Sequence, residues 1–72
     1  MLFKDFLRAE MKRKGVSVIK MAEGLQTSRG YVYQLLNGDV KDPSLSRSLE
    51  ICEILNISID ELVEKIKQGD SD

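Results

Sequence analysis

The 72-residue sequence has no histidine, no tryptophan, one cysteine and one proline. Each shortage closes off a class of chemistry. Without histidine there is no Cys/His set that could hold zinc, and no convergent pair of acids stands out to replace it. No catalytic set is recognisable, so the sequence reads as a non-enzyme that needs neither metal nor cofactor. The lone thiol of Cys52 cannot close an intramolecular disulfide, which fits a reducing compartment. Long apolar runs are also missing: nothing approaches the roughly 20 residues that span a bilayer. Met1-Leu2-Phe3 gives way at once to Lys4 and Asp5, so neither a signal peptide nor a membrane anchor is expected. At this length a single core is only just large enough to hold a fold without staples, and a large active-site cavity is not expected.

What is present is helical periodicity. Phe3, Phe6, Leu7 and Met11 share one face of a helix over residues 3–14, with Lys4, Asp5, Arg8, Lys12 and Arg13 on the other and Gly15 as its stop. Ser17 caps a second helix whose apolar stripe is Val18 or Ile19, then Met21, Ala22 and Leu25. After Gln26-Thr27, Ser28 caps a third, with Val32, Leu35 and Leu36 inward and Asn37-Gly38 as the terminator. The turn-rich segment from Asp39 to Pro43 leads to Ser44 and a helix over 44–55, its inward line read as Leu45, Leu49, Cys52 or Ile51, and Leu55. Asn56 breaks it. Ser58 with Glu61 forms a capping-box pattern at the head of a last helix, whose apolar face is Ile59, Leu62, Val63 and Ile66. The expected architecture is all-α, a compact five-helix domain over 1–68, followed by a short acidic disordered tail at 69–72.

Charge divides the chain in two. Net charge is -1, yet residues 1–41 carry eight basic and four acidic side chains, net +4, while residues 42–72 carry three and eight, net -5. Phosphate contacts need clustered Lys and Arg, and the positive half contains the stretch from Ser17 to Gly38. In that stretch two short helices meet at a tight turn, the arrangement of a helix-turn-helix. Ordinary solvated helix faces would carry the same asymmetry.

In order, the chain presents Gly15-Val16-Ser17, Met21-Ala22 with Leu25, Ser28 with Val32, Asn37-Gly38, Pro43-Ser44-Leu45, and Leu55-Asn56-Ile57-Ser58-Ile59-Asp60-Glu61-Leu62. In these residues, from about Leu7 to Val63, it resembles the phage-repressor and Cro-like helix-turn-helix family. The resemblance implies a lambda-repressor-like fold with the helix-turn-helix at helices 2 and 3. It also implies a sequence-specific, repressor-type transcriptional regulator acting in the cytoplasm of a bacterial or phage-infected cell. Three positions depart from the family pattern. Val18 stands where Gln often contacts phosphate, Gln26 where the turn usually has Gly, and Leu36 where Glu often precedes Asn-Gly.

In this motif the third helix enters the major groove of double-stranded DNA. The residues expected to reach bases are Arg29, Gly30, Tyr31, Tyr33 and Gln34. Arg29 can pair with guanine and Gln34 with adenine, while the tyrosines offer a hydroxyl and a ring, or else pack against a neighbouring helix. Gly30 costs a helix about 1 kcal/mol against alanine, and close approach of backbone to DNA is one reason for it. Phosphate contacts are expected near helix ends, from Ser17, Ser28, Asn37, Lys41, Ser44, Ser46 and Arg47. Capping alone would also account for Ser17, Ser28 and Ser44. A homodimer on a near-palindromic operator is expected, through Ile57, Ile59, Val63 and Ile66, residues that could equally close the core. The competing reading is a protein-interaction module that keeps this fold and binds another regulator protein, motivated by Val18, Leu36, the tyrosine pair and the overall acidity.

Overall fold

Serine begins four of the five helices, and in each its side chain does the same work. The computed structural model describes residues 1–68 and places α1 at Phe3–Lys14, α2 at Val18–Leu25, α3 at Arg29–Asn37, α4 at Leu45–Leu55 and α5 at Ile59–Gln68. The architecture is all-α, as expected, while the acidic tail expected at 69–72 lies outside the described residues. The backbone N–H of Lys20 donates to Ser17 Oγ at 3.1 Å, that of Tyr31 to Ser28 Oγ at 3.3 Å, that of Arg47 to Ser44 Oγ at 3.2 Å and that of Glu61 to Ser58 Oγ at 3.1 Å. Each bond satisfies one of the amides a helix start leaves without an internal partner. Ser44 therefore stands just outside α4 rather than inside it.

The first four helices also stop alike. At α2, Gln26 N–H donates to Glu23 O at 3.1 Å and Thr27 N–H to Ala22 O at 2.9 Å, the paired reverse bonds of a Schellman turn. Such a turn needs a left-handed residue, supplied by Gly15 (φ 68°) after α1 and Gly38 (φ 87°) after α3. After α2 and α4 it is supplied by side-chain-bearing residues, Gln26 (φ 55°) and Asn56 (φ 57°). The departure at Gln26 is accommodated at the ordinary cost of a Cβ in this region.

The core joins Phe3, Phe6, Leu7 and Met11 of α1, Met21, Ala22 and Leu25 of α2, Val32 and Leu35 of α3, Ile51, Cys52 and Leu55 of α4, and Leu62 of α5. Each Leu, Phe or Ile so buried contributes roughly 1.5–3 kcal/mol relative to exposure. Within α2 the choice left open by sequence resolves cleanly: Val18 packs against the core and Ile19 is exposed. Leu36 also packs inward, and its carbonyl accepts Arg8 Nη2 at 2.7 Å, tying α1 to the end of α3.

Two expectations about inward faces need correction. On α4 the buried side chains are Ser48, Ile51, Cys52 and Leu55, whereas Leu45 is 71% exposed and Leu49 is also exposed. Counting back from Leu55 in helical steps reaches Ser48, which puts Leu49 about a quarter turn round the helix and leaves Leu45 at its free end. On α5, Leu62 is buried but Val63 is 40% exposed, while Ile57, Ile59 and Ile66 pack, half-buried, on the core. One charged residue is buried as well: Glu10 accepts from Arg13 Nη2 at 2.7 Å and lies 3.4 Å from Lys65 Nζ, pinning α5 to α1. Among the described residues no helix is long and apolar enough to cross a membrane.

Candidate nucleic-acid interface

The outward face of helix α3 is not used by the fold. Val32 and Leu35 hold it to the core, and Gly30, Tyr33, Gln34 and Asn37 are exposed at the i, i+3, i+4 and i+7 spacing of a single stripe, with Arg29 beside it at the helix start. Tyr33 is 52% exposed. An α-helix presenting guanidinium, amide and phenol groups along one solvent face has the donors and acceptors that match base edges in a major groove.

Gly30 is the sharpest feature of that stripe. A Cβ built there would meet only Ser28 Oγ, at 3.6 Å, an ordinary contact. Its backbone is not in the left-handed region either. Nothing inside the domain therefore requires glycine at this position. At Gly24 of α2, by contrast, a Cβ would come within 2.6 Å of Ile54 Cδ1, so a side chain there would have to displace that of Ile54 on α4.

Tyr31 stands apart from the stripe. It is half-buried against the core, and the guanidinium of Arg47 lies over its ring at 5.3 Å from the centroid. Of the two tyrosines, Tyr31 thus takes the packing alternative and Tyr33 the exposed one. Arg47 is engaged twice more, Nη1 donating to Leu25 O at 2.7 Å and lying 3.5 Å from Glu50 Oε1. Sequence spacing gave no sign of the contacts to Tyr31 and Leu25, because those partners sit on other helices, whereas Glu50 follows three residues on along α4.

The other residues expected at phosphates fall into four places. Ser28 and Arg29 border a shallow groove between α2 and the start of α3, together with Ile19, Ala22, Glu23 and Thr27. Asn37 and Lys41 share a second groove with Lys4, between the end of α3 and the start of α1. Ser44 and Ser46 lie exposed at the start of α4, and Ser17 at the start of α2. The cap bonds leave the serine hydroxyl hydrogens and the earliest amides of each helix free to face an anion.

Cys52 offers no nucleophile. Burial pushes its thiol above the usual range, with the negative charge of Glu61 adding to the effect, and Sγ lies 3.9 Å from the Ser58 carbonyl, so the reactive thiolate is scarce at neutral pH.

Five short helices, two of them meeting at the tight turn of residues 26–28 with a free polar face on the second, define a helix-turn-helix domain. Residues 7–62 match the family described as helix-turn-helix, and the chain belongs to that family, of the Cro and phage-repressor type. No curated protein and no solved structure matches the chain. The family is one of DNA-binding transcriptional regulators and is typically non-enzymatic.

Proposed function

We propose that the protein is a sequence-specific, repressor-type regulator of transcription that reads one DNA half-site with α3 and binds a near-palindromic operator as a homodimer. The observation that carries this reading is the exposed stripe of α3 with Gly30 at its head, a helix-weakening residue for which the domain itself has no use. Arg29 and Gln34 are the base-pairing residues, Tyr33 adds a hydroxyl and a ring, and Gly30 lets the backbone come close. Ser17, Ser28, Asn37, Lys41, Ser44 and Ser46 anchor the phosphates, in place of the side-chain contact that Val18 cannot make. The homodimer uses Val63 with the outer edges of Ile57, Ile59 and Ile66, and the setting is the cytoplasm of a bacterial or phage-infected cell.

Selection of bound sequences from a random duplex pool, followed by anisotropy titrations over a range of salt, tests this directly. Enrichment of two inverted half-sites about one helical turn apart, with affinity falling as salt rises, is the expected result. A pool that remains random, with no salt dependence, would remove the proposal.

A second reading is favoured by one specific observation, the exposed apolar pair Leu45 and Leu49 on α4. In that reading the fold serves as a docking module for another regulator protein. Replacing Arg29 and Gln34 by alanine separates the two: operator binding collapses under the first reading, and partner binding survives under the second.

A further inference from the structure

We infer that Arg47 is a positioning residue for DNA reading, setting how α3 sits against α2 through the Tyr31 ring and the Leu25 carbonyl rather than by holding a phosphate. This rests on the DNA-reading proposal and goes beyond it. Leu25 is the last residue of α2, and the Schellman turn that follows engages the carbonyls of Ala22 and Glu23. The Leu25 carbonyl instead takes Arg47 Nη1, at 2.7 Å, a charge-assisted bond at the negative end of the α2 dipole. The same guanidinium lies 5.3 Å from the centroid of the Tyr31 ring, on α3. One side chain of α4 therefore touches both helices of the motif, on either side of the 26–28 turn.

A clamp has work to do at that turn. Gln26 holds it in the left-handed region with a side chain attached, where glycine would sit without strain. Any change in the α2–α3 angle moves Arg29, Gly30, Tyr33 and Gln34 together. A guanidinium carries several donors in a rigid planar fork and a delocalised cation, so it can bond the carbonyl and lie over the ring at once, whereas the compact ammonium of lysine is not expected to replace it. The Arg47 side chain is only 31% exposed, and Glu50 Oε1 at 3.5 Å already offsets part of its charge. A phosphate would have to compete with all three partners.

The test compares the wild-type chain with Arg47→Ala and Arg47→Lys, by anisotropy against the selected duplex and a scrambled one, across a salt series. For both variants, affinity for the selected sequence is expected to fall about tenfold, about 1.4 kcal/mol. Affinity for the scrambled duplex and the slope of log affinity against log salt stay unchanged. A phosphate anchor gives the opposite pattern: equal losses on both duplexes, a slope shallower by about 0.9, and rescue by lysine. That pattern, or wild-type discrimination in either variant, overturns the inference. Circular dichroism at the assay temperature accompanies each titration, and loss of helix throughout the domain in both variants also overturns it, because the role inferred is local. A wild-type chain that selects no sequence removes the DNA reading itself, and this inference with it.

Discussion

Helices α3 and α5 both carry residues that sequence alone marks as possible partner surfaces, and the fold treats them in opposite ways. On α5 the apolar residues are consumed: Leu62 is buried, and Ile59 and Ile66, with Ile57 just before the helix, pack on the core. Of the expected dimer patch only Val63 is exposed, and at 40% it is still partly covered. On α3 the outward residues Arg29, Gly30, Tyr33 and Gln34 contribute no packing to the domain. A residue the monomer needs says little about partners. One that the monomer would be better without says more. The comparison can be broken by finding that α5 substitutions act on association, or that α3 substitutions act on stability.

The largest effect is expected inside α5. Leu62→Ala opens a cavity and is expected to cost about 2–4 kcal/mol of unfolding free energy, read from the midpoint of urea denaturation. Val63→Ala next to it should change the same midpoint by less than about 0.5 kcal/mol. If Val63→Ala instead lowers the midpoint in a way that more protein reverses, α5 is an interface and the contrast weakens.

Next comes the reading stripe. Arg29→Ala is expected to cost roughly 1–3 kcal/mol of discrimination at one base position, with stability held within about 0.5 kcal/mol. Parallel loss across all sequences would move Arg29 from the base-reading set to the phosphate set.

Glu10 sharpens the comparison from the other side, since it fastens α5 to α1. The hydrogen bond from Arg13 is the main influence holding its carboxyl below the usual range; burial opposes this, and the charges of Arg13 and Lys65 assist it. A depressed folded value means that the stabilisation is fully present above the unfolded value of about 4.3 and is lost as pH falls through the folded one. Its exposed partners limit the size: Glu10→Gln should cost about 1–2 kcal/mol at neutral pH. The variant should also show a flatter acid limb in pH-dependent melts. An unchanged acid limb would mean that other carboxylates govern acid unfolding.

Much of the fold was legible because its signals are local. Serine caps act three residues away, glycine and asparagine stops act within one turn, and both survive whatever the rest of the chain does. The face of α4 was not legible for the converse reason. Leucines at 45, 49 and 55 draw an apolar line on paper, yet packing turns Ser48 inward, a choice made by the surrounding helices and not by residue type. Glu10 reads as one more surface acid until Lys65, far along the chain, comes within 3.4 Å. Arg47 likewise looks like a free cation at a helix start, and only the tertiary fold brings Leu25 O and Tyr31 to it. Within the candidate site, the α3 stripe followed from helical spacing, whereas the role of Tyr31 depended on a neighbour from α4.

The smallest expected change in energy carries the most information. Gly30→Ala adds one methyl group to an exposed, right-handed position in the first turn of α3, where it would lie 3.6 Å from Ser28 Oγ. Reduced freedom in the unfolded chain and better helix propensity should then stabilise the domain by about 0.5–1 kcal/mol, seen as a higher denaturation midpoint. If backbone approaches DNA at this point, the same methyl group meets the duplex and affinity falls even as stability rises. Opposite signs in the two measurements would tie the glycine to binding. A variant that is more stable and binds equally well would leave Gly30 without a role in the reading face, and the case for α3 would then rest on Arg29, Tyr33 and Gln34 alone.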